Sequence, residues 1–365
     1  MDFKSLYKSI YIEPSVTATR VAQNLTALFP EKIIPELPLV KTYLEGKKTL
    51  AVLPAKGEFL RQCASFNTDY CCCGTYVLST ISQCPFYCTY CFLQNYLNNP
   101  LTYVIGDLDK VIAEIKTKTS LEPTKLFRIG TWELGDSLAL EPLTNQARYL
   151  MEQLREIENI LLDFRTKSDE VDSILDVDHG KKAVLSWTVN PEAVTKKEEL
   201  GSASLEARIK AMKKAADKGY WLSLHFDPMI IHDNWLQNYQ ELINQIFDSL
   251  PLNQVLWISL GSLRFNPELK NLIRKNYPES KIIFEEMVLG QDHKMRYVKP
   301  LRIKLYKNLY KAISKNNKWQ KLKEKEKPFI YLCMERPDMW DQIFGEHPKD
   351  NDFSRVLDEY LKQRF

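Results

Sequence analysis

The sequence predicts an α/β protein built on a parallel sheet, either an open doubly wound sheet or a partial (β/α) barrel. Three observations predict it. Six β-like runs alternate with helical patterns between residues 75 and 276, the rhythm of parallel strands joined by right-handed crossovers. A run of closely spaced cysteines, Cys84, Cys88 and Cys91, directly follows the first of those strands. In both architectures ligand chemistry gathers at the carboxyl ends of the strands. The totals agree: 365 residues suggest one large domain or two, with ordinary hydrophobic and charged fractions.

A small α/β unit leads the chain, over residues 1–60. Ile10 to Ile12 is a short apolar strand closed by Pro14, and Val21, Leu25 and Leu28 fall at helical spacing before Pro30. Lys41 to Leu44 and Leu50 to Leu53 read as two further strands around Gly46. The main body covers residues 61–290. Its strands are expected at 76–80, 126–131, 160–167, 183–189, 221–226 and 255–260. Its helices are expected at 108–116, 143–154, 205–218, 238–250 and 267–276, with a weaker helical pattern near 169–175. The remainder, 291–365, is a basic, aromatic-rich extension with a strand-like run from Pro328 to Glu335 that carries Cys333.

Several classes of function fall away. No apolar run approaches the roughly 20 residues of a membrane span, and Met1 to Ser5 opens no signal-peptide core. Eight cysteines, seven of them clustered between Cys63 and Cys91, fit a reducing cytoplasm better than a disulfide framework. A net charge of +3 is too small to argue for nucleic acid by itself.

The chemistry is concentrated in Cys84-Pro85-Phe86-Tyr87-Cys88-Thr89-Tyr90-Cys91. Thiolates this close converge on a metal or a cluster more readily than on a disulfide. Four would close a structural zinc or a fully ligated cluster, whereas three leave one coordination position open. A zinc knuckle would need a fourth ligand, and the next histidine is His179. Upstream, Cys63 and Cys71 to Cys73 read either as a second metal site or as small buried side chains, the latter favoured by the burial habit of free cysteine. The segment from Lys294 to Lys327 places Leu305, Leu309 and Ile313 on one helical face and lysines on the other. It reads equally as a solvated helix face and as a surface for a phosphate backbone.

The C-x3-C-x2-C spacing resembles the signature of radical S-adenosylmethionine (SAM) enzymes, and the chain resembles the spore photoproduct lyase family in particular. Gly135-Asp136, Thr166-Lys167, Ser186 through Asn190 and Leu205-Glu206-Ala207-Arg208-Ile209 stand in order at the places of that family's motifs. Lys218-Gly219-Tyr220, Pro228 with His232 and Trp235, and Arg264-Phe265 continue the match, and Arg296, Tyr297 and Lys299 are similar in type. The resemblance implies a partial (β/α)6 TIM-like barrel. It implies a [4Fe-4S] cluster on Cys84, Cys88 and Cys91, with SAM on the open iron. SAM would be contacted by Lys167, Asp136, Glu133, Ser186 and Asn190, and an external one-electron reductant such as flavodoxin or ferredoxin would be a partner. The implied activity is repair of a thymine-dimer lesion in DNA: a 5′-deoxyadenosyl radical abstracts hydrogen, the linked bases part, and hydrogen is returned. Arg264, Arg296, Tyr297, Lys299 and Arg302 are the expected nucleic-acid contacts.

Two departures bear on the last step. The family's hydrogen-donor cysteine has no counterpart in Trp132-Glu133-Leu134, and its tyrosine after the third cluster ligand is Phe92. Tyr90 remains for that step, and Cys333 reads either as a replacement hydrogen donor or as a buried strand cysteine, the latter favoured by the inertness of buried thiols. Two other readings stand beside the repair lyase. One is a radical SAM enzyme on the same scaffold with another nucleic-acid, nucleotide or peptide substrate; the other is a non-catalytic iron–sulfur protein that binds nucleic acid.

Overall fold

The computed structural model describes residues 2–63, 69–349 and 352–364. The fold is mixed α/β with a curled, eight-stranded half-barrel sheet, so the partial barrel is the architecture adopted. The chain divides into two compact units: Met1–Cys63, Thr75–Phe86 and Tyr96–Val184 form one, and Ala64–Gly74, Tyr87–Asn95 and Leu185–Phe365 the other. No helix among the described residues is long and apolar enough to cross a membrane.

The first unit carries a five-stranded sheet in the order Ile33–Ile34, Ser9–Ile12, Thr49–Leu53, Thr102–Ile105 and Ile81–Ser82. The first four strands are parallel and the last is antiparallel. Ile10, Leu50, Val52, Ile81 and Val104 pack with Val21 and Leu25 of the helix Arg20–Leu28 in one core. Ile81–Ser82 leads directly into the cysteine loop, so this core fixes where the loop starts. One expected strand is a helix: Tyr43–Gly46 forms a turn of helix, because Thr42 and Glu45 make a reciprocal capping box. The same unit also holds the parallel strands Tyr76–Leu78, Phe127–Gly130 and Ile160–Thr166 of the half-barrel, with Leu60–Gln62 antiparallel to the first.

Glu141 is buried there, where it accepts the backbone N–H groups of Ala147 at 2.8 Å and Arg148 at 2.9 Å. Burial outweighs those bonds and raises its carboxyl from an ordinary 4.5 to about 7. The folded chain therefore keeps this proton over a range where the unfolded chain has lost it. That contribution to stability is full below about 4.5 and is lost as pH rises through about 7, a change of about 3 kcal/mol. Glu141→Gln should flatten the difference between denaturant unfolding at pH 5 and at pH 8; an undiminished difference would acquit Glu141.

In the second unit, Trp221–Met229, Val255–Ser262 and Phe329–Leu332 run parallel in adjacent positions, with His225 opposite Ser259 and Ser259 opposite Tyr331. The run carrying Cys333 is thus a strand of the half-barrel beyond the six expected. Alternation puts Ser223, His225 and Asp227 on one face and Leu222, Leu224 and Phe226 on the other. The helices Leu205–Asp217, Trp235–Ser249 and Leu269–Asn276 form as expected, whereas residues 169–175 give only a 3-10 turn at Asp172–Ile174. Glu192–Glu198 is a helix that the sequence did not announce, since Val194, Thr195 and Glu198 make its buried side too polar to show a stripe.

Candidate active site

In the first unit, Asp136 is the hub. Its Oδ1 accepts the N–H of Leu138 at 3.0 Å, the N–H of Ala139 at 2.9 Å and the Thr166 hydroxyl at 2.6 Å, and its Oδ2 accepts the N–H of Lys167 at 2.8 Å. Asp136 and Lys167 are therefore brought together, and the carboxylate sets the backbone at the end of the strand Ile160–Thr166. Lys167 is half-buried, as is Glu133 in the neighbouring loop. That loop is closed by Thr131, whose hydroxyl donates to Ser137 at 2.7 Å. Trp132 folds back over Gly130, so near that a Cβ on the glycine would lie 2.0 Å from the indole nitrogen. Its N–H donates to Asp163 at 2.8 Å, and the Arg165 guanidinium covers its ring at 3.8 Å. Cys84 ends this unit's part of the cysteine loop and is half-buried.

In the second unit, Cys88 is buried and Cys91 half-buried. Tyr87–Cys88 pairs antiparallel with Glu199–Leu200, placing Cys88 opposite Glu199. A turn follows in which the N–H of Cys91 donates to the carbonyl of Cys88 at 3.2 Å. Gln94 closes it from within, donating to the carbonyl of Thr89 at 2.8 Å. Phe92, next to the third cysteine, is 39 % exposed. Among the described residues no three His, Cys, Asp or Glu side chains stand as ligands of a single metal ion would.

Tyr90 and Asn190 meet on one carboxylate, Glu199. The Tyr90 hydroxyl and the Asn190 amide, the latter at 3.0 Å, both donate to Glu199 Oε1, and Arg208 pairs with Oε2 at 2.7 Å. Arg208 also donates to the carbonyls of Ala203 and Thr188 and to the Ser202 hydroxyl. Asn190 accepts the Tyr239 hydroxyl at 2.9 Å, so both ends of its amide are used inside the fold. Burial first, and the adjacent Glu199 next, hold the Tyr90 phenol well above its ordinary range. Ser186 is buried and accepts the Ser223 hydroxyl at 2.6 Å. Ser223 in turn stands 3.1 Å from His225 Nε2. That nitrogen also receives the Trp257 N–H at 3.1 Å; since an indole only donates, Nε2 is the bare nitrogen of the ring.

Arg264 and Cys333 are likewise together. Arg264 pairs with Asp227 at 3.2 Å and donates to Cys333 Sγ at 3.3 Å. Burial, with Asp227 beside it, pushes the Cys333 thiol far above its ordinary range. The other expected nucleic-acid contacts are engaged within the protein. Arg296, 3 % exposed, pairs with Asp292 at 2.5 Å; Tyr297, 0 % exposed, accepts the N–H of Ile231 at 3.1 Å. Arg302 pairs with Glu335, which also accepts the Tyr306 hydroxyl at 3.0 Å, and Lys299 pairs with Asp338 at 2.5 Å. Local sequence made these cations look like surface charge, but each has an acidic partner or a buried niche. The helix Lys299–Lys315 does present exposed cations: Lys304, Lys307, Lys311 and Lys315 face outward while Leu305, Leu309 and Ile313 are buried.

Comparison with known proteins places these observations in a family. A family model described as spore photoproduct lyase matches residues 9–331. The spore photoproduct lyase of Geobacillus sp. (strain Y412MC61) is 26% identical over 297 residues, covering 76% of this chain and 85% of its own. That of Bacillus subtilis (strain 168) is 24% identical over 294 residues, covering 76% and 84%. A solved spore photoproduct lyase structure superposes with a TM-score of 0.77 at 22% identity, over 90% of this chain and 99% of its own. The chain belongs to the spore photoproduct lyase family.

Proposed function

We propose that the protein is a radical SAM repair lyase that acts on the spore photoproduct in DNA. The observation that carries this reading is the set of three cysteines, Cys84, Cys88 and Cys91, at C-x3-C-x2-C spacing in a chain of this family. A related lyase structure has bound AdoMet and a dinucleoside spore photoproduct. The donor set fits a [4Fe-4S] cluster with one open position, since three thiolates are offered and no fourth lies within the loop. When bound, the cluster and SAM would supply a carbon radical able to take hydrogen from the lesion.

The chain's own residues do the rest. Lys167 would offer its ammonium to the SAM carboxylate. Asp136, already saturated by hydrogen bonds from the chain, would act by setting Lys167 rather than by touching SAM. Glu133 is the acid left to receive the SAM ammonium. Ser186 would line the SAM side of the sheet, while Asn190 and Tyr90 brace the turn of Cys88 and Cys91 through Glu199. Cys333 would return hydrogen at the end of the reaction, because a thiol held above its ordinary range keeps the S–H bond that a hydrogen donor needs. Electrons would come from a flavodoxin- or ferredoxin-type reductant, in a compartment that keeps these thiols reduced.

The deciding experiment is anaerobic reconstitution followed by reduction with SAM and DNA carrying the lesion, with 5′-deoxyadenosine and restored thymine both measured. An intact cluster that yields no 5′-deoxyadenosine would sink the enzymatic reading. Release of 5′-deoxyadenosine with no restored thymine would leave a different substrate on the same scaffold, the reading that Phe92 and the thiol-free Trp132-Glu133-Leu134 favour.

DNA backbone contact is assigned to the exposed face of Lys299–Lys315. Lys307→Glu with Lys311→Glu should weaken binding to lesion and undamaged duplex alike, and reduce the slope of log affinity against log salt by about 1 per lost contact. Affinity and slope equal to the parent would move the contact elsewhere.

A further inference from the structure

Lys47 is 1 % exposed, and a buried lysine needs acceptors around it. Its Nζ donates to the backbone carbonyl of Cys84 at 2.5 Å and to that of Phe86 at 2.7 Å. It also lies 4.4 Å from the centre of the Tyr43 ring. Two carbonyls and a π face are the surroundings an ammonium seeks. The same helical turn grips the loop a second time. Gln83, fully buried and at φ 71°, donates to the carbonyls of Tyr43 at 3.3 Å and of Pro100. Gly46 sits so close to Pro100 that a Cβ would fall 1.8 Å from its carbonyl oxygen. The capped turn Tyr43–Gly46 and the residue after it are thus keyed to the segment 83–86.

We infer that Lys47 is a positioning residue for Cys84 and a fixed positive charge that raises the reduction potential of the cluster Cys84 is proposed to hold. The inference rests on that cluster reading. Reduction adds one negative charge to a thiolate-held cluster, and a cation on the ligand's own peptide stabilises the added charge more than the state before it. Net charge and nearby polar contacts are among the levers that set such potentials. None of the other thiols is required for this effect, which acts through Cys84 and the carbonyl it shares with Lys47.

The test compares the parent with Lys47→Gln, Lys47→Met and Lys47→Arg, each reconstituted anaerobically and checked for fold by circular dichroism. Iron per chain is measured, and the midpoint potential is read by redox titration under electron paramagnetic resonance, without substrate or turnover. Lys47→Gln and Lys47→Met should disfavour cluster reduction about tenfold, a midpoint lower by about 59 mV for a one-electron couple. Lys47→Arg, which keeps the charge, should stay at the parental potential. Folded neutral variants that take up no iron, beside an arginine variant that does, would support the positioning role. Neutral variants with parental iron and parental potential would overturn the inference, as would an arginine variant shifted as far as the neutral ones. A parent that takes up no iron would instead remove the cluster reading itself.

Discussion

Arg208→Met is expected to destabilise the protein by about 3–5 kcal/mol, the cost of breaking a buried ion pair from one side. Arg208 and Glu199 are both 0 % exposed at their side chains, and their ion pair at 2.7 Å is closed off from water. Replacing such a pair by apolar groups on both sides is often harmless; removing one partner strands the other charge. Glu199 would lose this cation and keep the hydroxyl of Tyr90 and the amide of Asn190, neither of which carries a positive charge. Denaturant unfolding measures the loss, and Arg208→Met combined with Glu199→Leu should recover a good part of it. A single-variant loss below about 1 kcal/mol would mean that the pair is wetter than the structure shows.

Cys333→Ala is expected to uncouple radical formation from repair. 5′-Deoxyadenosine should still form, whereas restored thymine should fall by roughly tenfold, about 1.4 kcal/mol of barrier, or more. A thiol exchanges its hydrogen with solvent, so in D2O the parent should place deuterium in the repaired base and Cys333→Ala should not. The raised titration of this thiol adds a pH signature: its S–H persists through the mildly alkaline range in which an ordinary cysteine would become thiolate, so no loss of repair from that source should appear there. Unchanged thymine yield and unchanged deuterium content in Cys333→Ala would clear Cys333 of the role. Attention would then pass to Tyr90, although its hydroxyl is already committed to Glu199.

What could be read from the sequence follows from how local each interaction is. The cysteine triplet stands out in the sequence because its members lie within eight consecutive residues. The strand–helix alternation was legible because periodic burial repeats along the chain, and the run around Cys333 joined the half-barrel as one further parallel strand. Asp136 and Lys167 were found as motif residues, yet the hydrogen bonds that make Asp136 a strut for Lys167 could not be foreseen from spacing. Glu199, Asp227, Glu335 and Lys47 went unnoticed. A buried charge and a surface charge are the same letter, and only the fold supplies the partner that distinguishes them. Arg296 and Tyr297 show the converse, reading as an exposed basic patch while lying inside. The turn Tyr43–Gly46 is different, since the Thr42 and Glu45 of its capping box are a local pattern present in the sequence itself.

The Trp132 clasp ties two positions of the chain together. With the indole seated, position 130 is held to glycine, because any side chain there would collide with the ring. A smaller side chain at position 132 would leave Asp163 without the indole N–H and Arg165 without the ring beneath it. It would also open the space that a Cβ at position 130 needs. The two positions are therefore coupled: what is accepted at 130 depends on what stands at 132.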